Sequence, residues 1–64
     1  DALSGREVIL EFHTIGQIVK VSAIDADTGT EVSIQGPASS GEAVLKNSAL
    51  RRLIYVLRKK NIIE

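Results

Sequence analysis

The chain has no cysteine, methionine or tryptophan, and only one proline, one tyrosine, one phenylalanine and one histidine among its 64 residues. Without thiols there is neither a disulfide framework nor a thiolate zinc site. A lone imidazole, His13, leaves a hydrolytic triad or a histidine-rich metal site short of its usual groups. Long apolar runs are missing too. The longest, Val8-Ile9-Leu10 and the pairs Leu53-Ile54 and Val56-Leu57, fall far short of the ~20 residues that cross a bilayer. No secretory pattern opens the chain, so a cytoplasmic setting is expected.

An excess of one charge is also absent, because eight basic residues balance eight acidic ones. That balance conceals a split. Residues 1–45 carry Arg6 and Lys20 against Asp1, Glu7, Glu11, Asp25, Asp27, Glu31 and Glu42, a net of minus five. Residues 46–64 carry Lys46, Arg51, Arg52, Arg58, Lys59 and Lys60 against Glu64 alone, a net of plus five. Such asymmetry accompanies tails that meet nucleic acid or membrane. It equally accompanies halves that pack on each other or on a second copy.

What is present is alternation. From Glu7 to Ile15, Val8, Leu10 and Phe12 fall on one side and Glu11 and His13 on the other, the period of a half-buried strand. Ile18 to Asp25 groups Val19, Val21 and Ala23, and Thr30 to Gln35 offers Val32 and Ile34. Matching apolar with apolar across the first hairpin selects an even-numbered loop, written most simply as a two-residue turn at Ile15-Gly16 that pairs Phe12 with Val19 and Leu10 with Val21. A four-residue loop, Ala26-Asp27-Thr28-Gly29, pairs Ala23 with Val32 and Val21 with Ile34. One apolar face then continues across all three strands.

Gly36-Pro37 is expected to end the third strand, since proline has no ladder donor. Ser39 with Glu42 reads as a capping box. A helix should follow to about Lys60, with Leu45, Ala49, Leu50, Leu53, Ile54, Val56 and Leu57 spread over about 180°, wider than the ~100° stripe of an ordinary surface helix. Arg58, Lys59 and Lys60 suit the negative end of the dipole, and Asn61 with Ile62 suits a Schellman stop. The expected fold is α+β: a three-stranded antiparallel meander followed by one C-terminal helix, βββα. Residues 1–5 are expected to form a disordered tail and residues 6–64 a single domain.

The run AIDADTGTEVSIQGPASS, preceded by EVILEF and VKV and followed by ALRRLIYVLRKK, resembles a family of short bacterial proteins classed as a domain of unknown function. The resemblance spans nearly the whole chain and implies no established activity. Enzyme names attached to some members, serine hydroxymethyltransferase among them, require a cofactor fold for which this chain has no room.

Motifs that carry chemistry elsewhere have plainer readings here. Gly36 to Glu42 has phosphate-loop spacing, but Glu42 stands where the lysine is needed, so it is read as a turn and a cap. Asp25, Asp27 and Glu31 lack the further oxygen ligands of a calcium loop. No serine is expected across the ladder from His13, which is read as a solvated side chain. No catalytic, cofactor-binding or metal-binding residue is assigned.

Surplus surface remains. A domain of about 60 residues buries only about 60% of its unfolded surface, so a partner is expected. Candidate self-association residues are Ile9, Ile18 and Ile24 on the outer sheet face, with Leu45, Ala49 and Val56 on the wide helix arc. The expectation is a small non-enzymatic binding or scaffold module, homodimeric, without a cofactor or membrane span. The alternative is nucleic-acid binding by a basic helix face of Arg51, Arg52, Tyr55, Arg58 and Lys59.

Overall fold

The computed structural model describes residues 1–64 and orders the elements as β1 (Val8–Ile15), β2 (Ile18–Asp25), β3 (Glu31–Pro37), a short 3-10 turn (Ala38–Ser40) and α1 (Glu42–Lys59). The strands form one antiparallel sheet in the order β1-β2-β3. The βββα architecture expected from the alternation is the one found.

The first hairpin is offset by two residues from the expected pairing. Phe12 lies opposite Val21, Leu10 opposite Ala23 and Val8 opposite Asp25, around a loop at Gly16-Gln17. Turn geometry overrides side-chain matching here, because both favoured two-residue hairpin turns need a positive φ at their first central residue. Gly16 supplies it at 60°, whereas a β-branched residue such as Ile15 would be a severe outlier there. An offset of two keeps every side chain on its expected face. Its consequence is that Val8 lies opposite Asp25, the inward-facing acid at the end of β2.

The second hairpin follows the expected register, with Val21 opposite Ile34 and Ala23 opposite Val32. The Asp25 carbonyl accepts from the Gly29 N–H at 2.8 Å, and Gly29 closes the loop with φ 72°.

β3 continues through Gly36 and Pro37, which pair with Val19 and Ile18, so the expected stop before Gly36 is corrected. Proline is tolerated because β3 is an edge strand and needs no donor on its free side. α1 approaches the sheet closely at Gly36, where a Cβ would lie 2.5 Å from Leu45 Cδ2. The expected Ser39 capping box is also absent. Ser39 is taken into the 3-10 turn, and Gly41, with φ 90°, precedes the helix without a side-chain cap. Glu42 still supplies an acid to the first turn, where the dipole favours it.

Leu45, Ala49, Leu53 and Leu57, four residues apart, form the buried stripe of α1 and close on Val21, Ala23 and Val32. The helix ends as expected. The Ile62 N–H donates to the Leu57 carbonyl at 2.9 Å and the Asn61 N–H to the Arg58 carbonyl at 3.0 Å, with Asn61 at φ 60°. These are the paired bonds of a Schellman motif, and they fold Ile62 and Ile63 against the core. At the other end, residues 1–5, expected as a tail, take a turn in which Ser4 N–H donates to the Asp1 carbonyl at 3.1 Å. Leu3 touches the core from there.

Candidate interaction surfaces

The helix packs on β2 and β3 and leaves β1 outside its footprint. β1 reaches the core only through half-buried Val8 and Leu10. Farther along, Phe12 is 38% exposed on the helix-facing side, and on the other side Ile9 is 43% and Ile15 67% exposed. Phe12 and Ile15 were not among the residues expected at a contact surface. Their signal was the breadth of one helix, which covers only part of a three-stranded sheet at the ~10 Å spacing of packed layers.

The other expected contact residues divide. Ile9 and Ile18 are exposed, and Ile24 and Val56 are half-buried. Leu45 and Ala49 are corrected: both are buried beneath the sheet, at 6% and 0% exposure, and offer nothing to a partner. Of the wide helical arc, Leu45, Ala49, Leu53 and Leu57 lie in the core and Val56 packs against it, whereas Leu50 and Ile54 are half-buried outside that cluster.

The outer sheet face has a polar middle between isoleucines. Glu11, His13, Lys20, Ser22 and Glu31, with Phe12 at the margin, line a shallow open depression. The observed register sets His13 opposite Lys20 and Glu11 opposite Ser22, so a serine does share the neighbourhood of His13. Ser22 is buried, at 8% exposure, and its hydroxyl lies 3.0 Å from the Ser33 hydroxyl. It is shared with a neighbouring strand, not held ready as a nucleophile beside the imidazole.

Asp25 is fully buried and receives Arg6 through two bonds, Nε to Oδ1 at 3.0 Å and Nη2 to Oδ2 at 2.9 Å. The Thr28 hydroxyl adds a bond to Oδ2 at 2.6 Å. First the Arg6 guanidinium and then the Thr28 hydroxyl hold the Asp25 carboxyl down at about 2, from an ordinary 3.8. This planar two-point pairing ties the start of β1 to the end of β2. Asp27 and Glu31 are exposed, and the acidic side chains around the hairpin do not gather into a group of three that could hold a metal ion.

Arg51, Arg52, Tyr55, Arg58 and Lys59 are all exposed on the side of α1 opposite the buried stripe. Arg52 and Lys59 lie over the Tyr55 ring at 5.6 and 6.0 Å from its centroid, within cation–π range. Arg58 Nε donates to the Glu64 carbonyl at 3.1 Å. The only salt bridge in the molecule joins Arg6 and Asp25. The basic helix and the acidic sheet therefore do not neutralise one another through direct pairs.

No helix is long and apolar enough to cross a membrane. The model of a family described as a domain of unknown function (DUF6898) matches residues 5–60. Neither a curated protein nor a solved structure matches the chain.

Proposed function

For a chain that belongs to the family described as a domain of unknown function (DUF6898), we propose a non-enzymatic binding or scaffold role exercised as a homodimer. The observation that carries this reading is β1, an eight-residue strand with an open edge and exposed apolar side chains on both faces. Open apolar edges invite pairing with another chain. Chemistry has little support by comparison. The one imidazole lies on an open sheet surface, the nearby serine is engaged with Ser33, and Asp25 is consumed by Arg6 and Thr28. Sedimentation equilibrium across a wide concentration range tests the proposal: twice the chain mass is expected, and a monomer at millimolar concentration would overturn it.

A second reading, nucleic-acid binding through Arg51, Arg52, Tyr55, Arg58 and Lys59, is favoured by the exposure of all five on one helix face. It is weakened by Arg52 and Lys59, which already lie over the ring a base would stack on. Titration of labelled DNA and RNA at low salt, repeated with Arg51→Glu, separates the readings. Binding that collapses with added salt and with the substitution would favour nucleic acid.

A further inference from the structure

We propose that β1 pairs antiparallel with β1 of a second copy about a twofold axis at Phe12, joining two meanders into one six-stranded sheet. This rests on the homodimer reading above and specifies its interface. Three observations lead to it.

First, the edge is unguarded. β1 pairs with β2 without interruption from Val8 to Ile15, so no bulge twists it away. It contains no proline or lysine, two devices by which edge strands commonly avoid pairing. The opposite edge, β3, ends in Gly36-Pro37.

Second, the backbone selects which residues bond outward. The Glu7 carbonyl accepts from the Ala26 N–H at 3.0 Å, so odd-numbered residues here face β2. By strand alternation, the N–H and C=O groups of Leu10, Phe12 and Thr14 face the empty side. A twofold axis relating antiparallel neighbours is perpendicular to the sheet, and it therefore places even residues opposite even ones. Each outward group then meets another outward group.

Third, the side chains select the register. An axis at Phe12 sets Phe12 against its own copy, Leu10 against Thr14, Ile9 against Ile15 and Glu11 against His13. Apolar residues meet apolar ones on the outer face, and the carboxylate meets the imidazole. Moving the axis to Glu11 puts two carboxylates face to face and sets Ile9 against His13, a like-charge pairing that destabilises a ladder. Moving it to His13 pairs the imidazoles and sets Glu11 against Ile15. Of these three axes, only the one at Phe12 leaves no charged or imidazole side chain opposite its own copy or opposite an isoleucine. Both copies of α1 then lie on one side of the joined sheet, flanking the two phenylalanine rings that a single helix leaves uncovered.

The chain contains no native cysteine, so introduced thiols report without background. In the series Leu10→Cys, Glu11→Cys, Phe12→Cys, His13→Cys and Thr14→Cys, mild oxidation is expected to give a covalent dimer for Phe12→Cys, because only the residue on the axis faces itself within disulfide reach. Phe12→Lys should halve the mass in solution by placing two like charges on the axis. The unaltered chain supplies an independent measurement. In a dimer mixed from labelled and unlabelled copies, NMR should show Hα–Hα contacts between copies for Ile9 with Ile15 and for Glu11 with His13. Cross-linking at another position, or a dimer unaffected by Phe12→Lys and lacking those contacts, would overturn this pairing and leave the homodimer reading standing. A monomeric chain at all concentrations would overturn both.

Discussion

β3 lies under α1, receives Leu45 at Gly36 and stops at Pro37, whereas β1, at the other edge of the same sheet, lies beyond the helix and carries no proline. The contrast is one of stability as much as of shape. The buried hydrophobic residues all come from β2, β3 and α1: Val21, Ala23, Val32, Leu45, Ala49, Leu53 and Leu57. β1 contributes only half-buried Val8 and Leu10 to their margin. A chain this small thus packs its single helix on two strands and leaves the third largely uncovered.

The largest expected effect lies where the helix crosses the sheet. Leu53, fully buried, should cost about 2–5 kcal/mol on Leu53→Ala, since the cavity opens among close-packed neighbours. Urea denaturation at matched protein concentration measures it. A loss below about 1 kcal/mol would mean that the core is not centred on this helix.

Gly36→Ala comes next, at about 1–3 kcal/mol of overpacking against Leu45. Combining it with Leu45→Ala separates crowding from a general backbone effect. If the contact is the cause, the double variant loses less than the sum of the two singles. Strict additivity would remove Gly36 from the account of why β3 is the closed edge.

Acid offers a third way into the comparison, because Arg6 and Asp25 fasten the open strand to the closed part of the molecule. The folded Asp25 carboxyl ionises at about 2 and the unfolded one near 3.8. The pairing therefore stabilises the fold fully above pH 3.8, and its contribution drains away as pH falls toward 2. Denaturant titrations over that window should show a declining stability that flattens in Asp25→Asn. An unchanged slope in the variant would assign the acid sensitivity to other carboxylates.

The architecture is largely legible in the sequence, but the difference between the two edges is not. Alternation in Val8 to Phe12, Val19 to Ala23 and Val32 to Ile34, together with the turn at Ala26 to Gly29, specified the strands, their order and the second register. Asn61 and Ile62 specified the helix stop. The first register was misread because apolar pairing alone tolerates an offset of two, and only the demand for positive φ at Gly16 distinguishes the alternatives. The Arg6–Asp25 pair has a signal in the sequence: Asp25 continues the inward series Val19, Val21, Ala23, and a buried carboxylate requires a cation. Arg6, of the same parity as Val8, was the nearest available. The exposure of Phe12 and Ile15 was harder to read, because alternation assigns a face to a side chain but not whether another element covers it. That depends on where the helix axis lies across the sheet. The small residues Gly36, Ala49 and Ala23 decide its position by permitting close approach over β2 and β3.

The smallest expected effect is the most discriminating. Ile15→Thr, at a residue 67% exposed, should change the unfolding free energy by no more than about 0.5 kcal/mol in dilute solution, where the chain is single. If two copies pair through β1 as proposed, the unaltered chain should gain stability at higher concentration, because a partner that binds only the folded state adds to its apparent stability. The variant, having lost the apolar pairing of Ile9 with Ile15, should gain less, so the difference between the two proteins should widen as concentration rises. For Leu53→Ala the loss should be nearly the same at every concentration. Denaturation series at low and high protein concentration compare the two directly. If Ile15→Thr cost more than about 1 kcal/mol even when dilute, the tip of β1 would belong to the folded core. If its effect stayed small and constant, the apolar edge would be unoccupied in solution, and the difference between the two edges would be one of packing alone.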